Sequence, residues 1–512
     1  MNLPLNLPLN LLTYLLAATA RWGGVFPQQR SLQRAIALAF GILCGVGRRT
    51  VTRAISFHGN TQKDWSADYK LFSRSPWDPR ALFHPILEQA IQEQKLEHIV
   101  ISTDDTRVWR NGKKVPQTQW HRDPLGPPFQ TNLRWGHRFL QASLVLPLYL
   151  QDGESSSRSI PVRFEMAPVV KKPGKQAAEA DWAEYRRQKK AKNLSVQFVQ
   201  MTQELRQHLN QTGHQAKRMF QVADGSFCNR TVWGEDWEAQ NVSVVARCRK
   251  DIVLCKRAPG KGRRFYGTTK FTPEQVRRRD SKARWQKAQI FHGGCYREVR
   301  FKEVTRLYWQ GGARKRPVRL LVVAPVGYRT SKNGRQYYRQ PAYLLTTDLK
   351  TAALVLLQAY FDRWGIEVNH RDEKDILGVG EAQVWNEKSV CKVPALLVAM
   401  YSWLLLAGLK CYGPQTDRSL CALAQMAPRR QAALLSGLGH AVAQATGRPP
   451  HDLCHRPDAR HLPDHARIRC RLTKPKSFRS GRVLQNVQTP GGRPEVCPTF
   501  GPEQLRIKLR NE

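Results

Sequence analysis

Acidic residues are scarce in this chain: 40 Asp and Glu stand against 83 Lys and Arg, leaving a formal net charge of +43 over 512 residues. A protein that cannot offset its own basicity points to a polyanionic partner. Cysteine is scattered, with eleven residues and no C-x-x-C pair. That argues against a disulfide framework or a thiol redox site and for reduced thiols in a cytosol-like, cytoplasmic compartment. Long apolar runs are lacking too. The greasy segment from Val393 to Leu409 contains a Ser and a Trp and falls just short of the roughly 20 residues a bilayer span needs, so it reads as a buried helix. The opening MNLPLNLPLNLLTYLLAATA has no basic flank and is interrupted by Pro4 and Pro8, which makes it an apolar arm or first helix and not a leader. Internal repeats of roughly 20 to 50 residues are missing as well.

What is present suffices for folding. Hydrophobic residues make up 41% of the chain, with 14 Trp, 14 Tyr and 18 Phe to anchor cores, and the length suggests several folding units. Residues 1–90 read as helical: SLQRAIALAFGILC, a glycine turn and RRTVTRAISFH suit a helix-turn-helix-like unit whose second helix offers Arg49 and Arg53 to DNA, with a plain helical hairpin as the alternative. From residue 91 the pattern turns to strands: HIVIST, RFLQASLVLPLYL and SIPVRFEM, then a basic helical stretch, RMFQVA and NVSVVAR. Together, 91–247 and 341–410 predict a mixed α/β sheet domain. Residues 248–340 form a basic, β-rich insertion, in which Trp285, Trp309, Tyr337 and Tyr338 serve either its own core or base stacking between clusters such as Arg263-Arg264, Arg277 to Arg279 and Arg314 to Arg316. The last unit, 411–512, is a C-terminal helical segment and a basic tail. Its His451, Cys454, His455, His461, His465 and Cys470 match no closed zinc pattern.

Acids are placed informatively. Asp104-Asp105 ends the first strand and Asp224 ends RMFQVA, and strand ends are where α/β sheets place ligands. A long helix then follows the strand PAYLLTTDL. At about 100° per residue, Tyr360, Arg363, Glu367, Arg371 and Lys374 share one face, beside an apolar stripe of Leu357, Phe361, Trp364 and Val368 that should seat the helix on the sheet. Gly365 costs this helix up to about 1 kcal/mol relative to Ala, so its ends could be shorter. Asp105, Asp224 and Glu367 are therefore the candidate catalytic and metal-ligating carboxylates, since oxygen ligands suit Mg²⁺ and two such ions stabilise both oxygens of a phosphodiester displacement. Asp104 is the alternative first ligand. The plainer reading of Arg363 and Lys374 is pairing with Glu367 one and two turns away.

Tyr360, Arg363, Glu367 and Lys374 fit Y-x2-R-x3-E-x6-K, which resembles the signature of bacterial insertion-sequence DDE transposases with ribonuclease-H-like catalytic domains. Asp104-Asp105-Thr106 resembles the first-aspartate region of DDE superfamily endonucleases, and ADGSFCN the second. The resemblance implies Mg²⁺- or Mn²⁺-dependent cleavage at transposon ends by a pair of ions, with strand transfer into target DNA. It implies Asp105, Asp224 and Glu367 as ligands, Asp105 because it directly precedes the threonine. It also implies Tyr360, Arg363 and Lys374 as contacts to transposon-end DNA, a homodimer holding two ends together, and a nucleoid-associated protein with no membrane partner. The competing readings are a non-catalytic DNA-binding derivative and a host nuclease with the same metal chemistry.

Overall fold

The computed structural model describes residues 7–413 except 46, 58–63, 94–95, 124–125, 128, 131, 150–154, 261–262, 280–282, 293–294 and 330–333. The tail with its histidines and cysteines lies outside the described residues.

Five helices come first: α1 (Leu7–Ala20), α2 (Gln29–Cys44), α3 (Val51–Phe57), α4 (Ser66–Ser73) and α5 (His84–Glu93). In α2 the apolar residues Leu32, Ala35, Leu38, Ala39 and Ile42 recur at helical spacing and are buried. The helices share one continuous apolar core with the sheet and with the C-terminal helix.

The sheet begins with β1 (Ile99–Trp109), β2 (Gln119–Arg122), β3 (Leu133–Tyr149) and β4 (Ser155–Met166). Helices α6 (Glu179–Ala191) and α7 (Leu194–Gln211) lead to β5 (Met219–Ala223), then α8 (Arg230–Trp233) and β6 (Val242–Arg247). β5 and β6 run parallel to β1, whereas β3 is antiparallel to both β1 and β4, so the centre of the sheet reads β4-β3-β1-β5-β6.

The 248–340 segment supplies β7 (Leu254–Arg257), β8 (Tyr266–Phe271), α9 (Pro273–Arg279), β9 (Gln286–Phe291), β10 (Tyr296–Tyr308), β11 (Pro317–Val323) and a hairpin of β12 (Gly327–Arg329) with β13 (Gln336–Tyr338). Most of these strands continue the same sheet: β14 (Ala342–Thr346) pairs with β6 on one side and β11 on the other. Trp285 and Trp309 pack against the core, while Tyr337 and Tyr338 are exposed. Arg277 and Arg278 are engaged by Glu274.

Alternation sorts the strands' two faces. Ile99, Ile101, Met219 and Val242 point into the large helical core, whereas Val100, Phe220, Val222 and Val245 point to the opposite face, which α10 (Ala353–Asp362) covers with Leu356, Leu357 and Ala359. α11 (Trp364–Asp375) follows directly, and α12 (Ser389–Tyr412) closes the described chain. α12 is the one helix among the described residues long and apolar enough to cross a membrane, longer than the sequence run suggested. It is largely buried inside the protein.

The long helix expected from Thr351 to Lys374 begins at Ala353 and is interrupted at Arg363, where the turn tightens: the Ile366 N–H reaches the Arg363 carbonyl, three residues back, at 3.1 Å. Its seat also differs from the expected stripe. Leu357 is buried, but Phe361, Trp364 and Val368 are only half-buried, and α11 instead buries Ile366, Asn369, His370 and Glu373. Asn369 Nδ2 donates to Ser143 Oγ (3.2 Å) and to the Ser159 carbonyl (3.1 Å), so the interface with β3 and β4 is polar and specific.

Gly365 permits this contact, because a Cβ there would lie 2.2 Å from Ser159 Oγ and 2.9 Å from Ser159 Cβ. Helix propensity alone would make Gly365→Ala a gain of about 1 kcal/mol. Overpacking against β4 reverses the sign: a net loss of about 1–3 kcal/mol in urea unfolding is expected, with partial recovery when Ser159→Gly is added. A stabilised Gly365→Ala variant would show that α11 does not sit this close to β4.

Candidate active site

β1 and β5 run in parallel register as far as Thr103 opposite Ala223, so the residues that follow, Asp104 and Asp224, emerge together at the same end of the sheet. Asp224 caps the turn after β5 by accepting from the Ser226 N–H (2.9 Å) and Ser226 Oγ (2.6 Å).

The adjoining Asp104 and Asp105 side chains project to opposite faces. Asp104 points to the face covered by α10 and α11. There Arg363 bridges two acids: its Nη1 donates to Asp104 Oδ2 at 3.4 Å and its Nη2 to Glu367 Oε1 at 2.8 Å. Asp105 faces the other way and receives a two-pronged bond from Arg138, Nε to Oδ2 and Nη2 to Oδ1, both at 2.8 Å, with Arg107 Nη2 3.5 Å from Oδ2. Of the two adjoining acids it is therefore Asp104, the alternative first ligand, that lies on the side of Arg363 and Glu367, while the expected Asp105 lies with Arg138. A strand of period two fixes that neighbouring residues diverge, not which of them meets the covering helix.

The electrostatics follow this division. Burial, together with the Asp224, Asp105 and Glu367 charges, pushes Asp104 up to about 7 against the pull of Arg363. Burial likewise raises Glu367, with Asp224 adding to it and Arg363 opposing. Asp105 is also buried, yet the hydrogen bonds and charge of Arg138, helped by Arg107, hold it below the usual carboxylate range.

The remaining expected residues fall as follows. Arg363 has a side chain 13% exposed and is engaged by the two acids; its contact with Glu367 is the one the plainer reading described for it, while the acids acting on Lys374 are Glu373, Asp375 and Asp104. Its guanidinium carbon lies 5.9 Å from the Tyr360 ring centre, and Tyr360 is half-buried. Lys374 is exposed and within electrostatic reach of Asp104. Arg371 is exposed, with Nε 3.3 Å from Asp372 Oδ1.

The two basic residues assigned to the second N-terminal helix separate. Arg53 is exposed on α3. Arg49 precedes that helix, is half-buried against Gly378, and donates its backbone N–H to Glu381 Oε2 at 2.6 Å. That tie docks the α2–α3 turn onto the loop after α11. One contributor escaped the sequence reading: Arg339, just beyond β13, carries its guanidinium 5.8 Å from the Tyr328 ring centre, and its charge acts on Glu367.

Three carboxylates and no soft donor suit a hard divalent cation. Among the described residues no three His, Cys, Asp or Glu side chains already close to metal-binding distance. The raised Asp104 and Glu367 nevertheless mark an excess of buried negative charge that a cation relieves, and Arg363 supplies part of that relief here. The donor chemistry of these acids suits a metal, and here Arg363 bridges two of them.

The family described as DDE superfamily endonuclease matches residues 25–316. Among solved structures, a piggyBac transposase synaptic complex with hairpin DNA is similar at 10% identity and a TM-score of 0.31, over 87% of this chain and 73% of that one. No curated protein matches.

Proposed function

Since the chain belongs to the DDE superfamily endonucleases, we propose that it is a DNA transposase that cuts transposon ends and joins them to target DNA, with Asp104, Asp224 and Glu367 as its metal ligands. The observation that carries this reading is the arrival of those three acids, from β1, β5 and α11, on one face at one end of the sheet, close enough for their charges to act on one another. A pair of Mg²⁺ or Mn²⁺ ions bound there would stabilise the attacking and leaving oxygens of the phosphodiester.

The protein's own groups have distinct tasks. Arg363, Lys374 and Arg339 sit beside the acids, where they meet the phosphates of the transposon end, and Tyr360 lends a ring against the backbone. In this reading Arg363 exchanges Asp104 and Glu367 for phosphate once metal and DNA arrive. The spacing of Tyr360, Arg363, Glu367 and Lys374 supports placement among bacterial insertion-sequence enzymes. Helices α1–α5, with Arg53 exposed, are proposed as the end-recognition unit. The need to hold two ends at once argues for a homodimer acting at the nucleoid.

The test uses the purified protein with terminal inverted-repeat DNA taken from the sequence flanking its coding region. With Mg²⁺ or Mn²⁺ the wild type is expected to nick, whereas Asp224→Asn and Glu367→Gln bind with similar affinity and nick at least about a hundredfold more slowly. A second reading, a DNA-binding protein without turnover, draws on the Arg363 bridge that already occupies the space between two of the acids. Binding without metal-dependent nicking in the wild type and both variants would establish it.

A further inference from the structure

β1 does not stop at the acids. Past Asp104 it runs to Trp109, paired with β3 as far as Trp109 opposite Gly136, while β5 has already ended. β2 widens this extension, with Trp120 opposite Trp135 and Arg122 opposite Leu133. A sheet tip therefore projects beyond the rim on which Asp104 and Asp224 stand. Neither the β1–β3 nor the β2–β3 register is broken here, so alternation puts Trp135, Leu133, Trp120 and Arg122 on the same face of the sheet as Asp104. Six residues along β3 separate Gln141, the partner of Asp104, from Trp135, a distance of about 20 Å.

The tip carries an unusual surface. Trp120 is 55% exposed and Trp385, from the loop after α11, is 60% exposed. Trp135 and Trp385 gather around the turn that follows β1: Trp135 Nε1 donates to the Gly112 carbonyl at 3.1 Å, and a Cβ on Gly112 would lie 3.4 Å from the Trp385 ring. Trp120 meets Trp135 edge-on, with ring centres 5.3 Å apart and planes at 68°. Exposed Lys113, Lys114 and Arg122 rim these indoles. Indoles are large, costly to leave in water and able to stack on any base, and cations beside them match a sugar-phosphate chain. A second copy of the protein is a poorer occupant, because two such tips would bring like charges together on molecules that each carry +43.

We propose that this tip is a stacking platform for unpaired nucleotides, which holds opened DNA about 20 Å from the bond to be cut. This rests on the reading of the protein as a DNA-cleaving enzyme and extends it to the kind of DNA handled. A paired duplex shows base faces only at its ends, so Trp120 and Trp385 discriminate between paired and unpaired flanks.

The experiment compares full-length protein on two labelled DNAs of equal length and random sequence, one fully paired and one with a single-stranded flank, by fluorescence anisotropy at fixed salt. The wild type is expected to favour the single-stranded flank. Trp120→Ala and Trp385→Ala should each lose on the order of tenfold affinity for that DNA, with little change for the duplex, and Trp120→Phe should retain most of it. Equal losses on both DNAs, or no loss on either, would overturn the platform. So would variants whose only change is a lower mass in light scattering, which would assign the tip to self-association. A wild type that binds neither DNA would instead remove the reading of the protein as a DNA enzyme.

Discussion

Asp104→Asn is expected to abolish metal-dependent nicking, with a loss on the order of a thousandfold, while Asp105→Asn keeps nicking and loses stability. The two substitutions are chemically identical and one residue apart, so the contrast isolates the direction of the side chain. Asp104 faces Arg363 and lies within the field of Asp224 and Glu367. Replacing it removes one of the proposed oxygen ligands and part of the charge that would draw a cation in. Asp105 neutralises Arg138 and Arg107 on the opposite face, with its own side chain only 9% exposed. Its replacement leaves two partly buried guanidiniums without their shared anion, which costs about 3 kcal/mol. Nicking assays run well below each variant's melting point separate the two effects. If Asp105→Asn is the dead variant and Asp104→Asn turns over, the assignment made from the direction of β1 is wrong.

The sequence made the order of elements readable because β1 opens on β-branched, apolar residues, β6 is β-branched and β5 is largely apolar, so Asp224 stands out as the charge after β5 and Asp104 as the charge where the apolar run of β1 stops, although that strand continues to Trp109. The choice between Asp104 and Asp105 was not readable in the same way. It depends on which face α10 and α11 cover, and that follows from a chain reversal after β14 far along the sequence.

The polar interface of α11 was hidden for a related reason. Asn369, His370 and Glu373 are residues that composition assigns to solvent, and only their packing on β3 and β4 shows them buried. Arg339 carries no local signal, since it lies in a basic stretch where every third or fourth residue is charged. Its place beside Glu367 is set by the β12–β13 hairpin. The insertion looked like a separate unit because its charge and glycine content differ from those of its flanks, yet β11 and β14 bind it edge to edge into the central sheet.

The buried face of α11 also leads to a strong pH effect on stability. Glu373 is 2% exposed, and burial pushes its carboxyl up to about 8, against the hydrogen bond from Gln141 and the charge of Lys374. A folded-state value above the ordinary one means the acid is held neutral. Its contribution is complete below about pH 4.5, is lost progressively from there as the pH rises through 8, and amounts to roughly 5 kcal/mol over that window. His370, one turn earlier, works from the other side: burial lowers it to about 3, so keeping it neutral favours the fold above its ordinary value near 6.5 and opposes it as the pH falls. α11 is thus penalised in alkali by Glu373 and in acid by His370. Glu373→Gln should remove the alkaline penalty while preserving shape and neutrality. In urea unfolding the wild type should lose several kcal/mol between pH 5.5 and pH 8.5, and the variant should match it at the lower pH and exceed it by a few kcal/mol at the higher. Subtracting the two curves cancels Asp104 and Glu367, whose raised values slope the same way. Parallel curves for the two proteins would mean that Glu373 is already ionised in the folded state, and that α11 is held to β3 by a charged carboxylate.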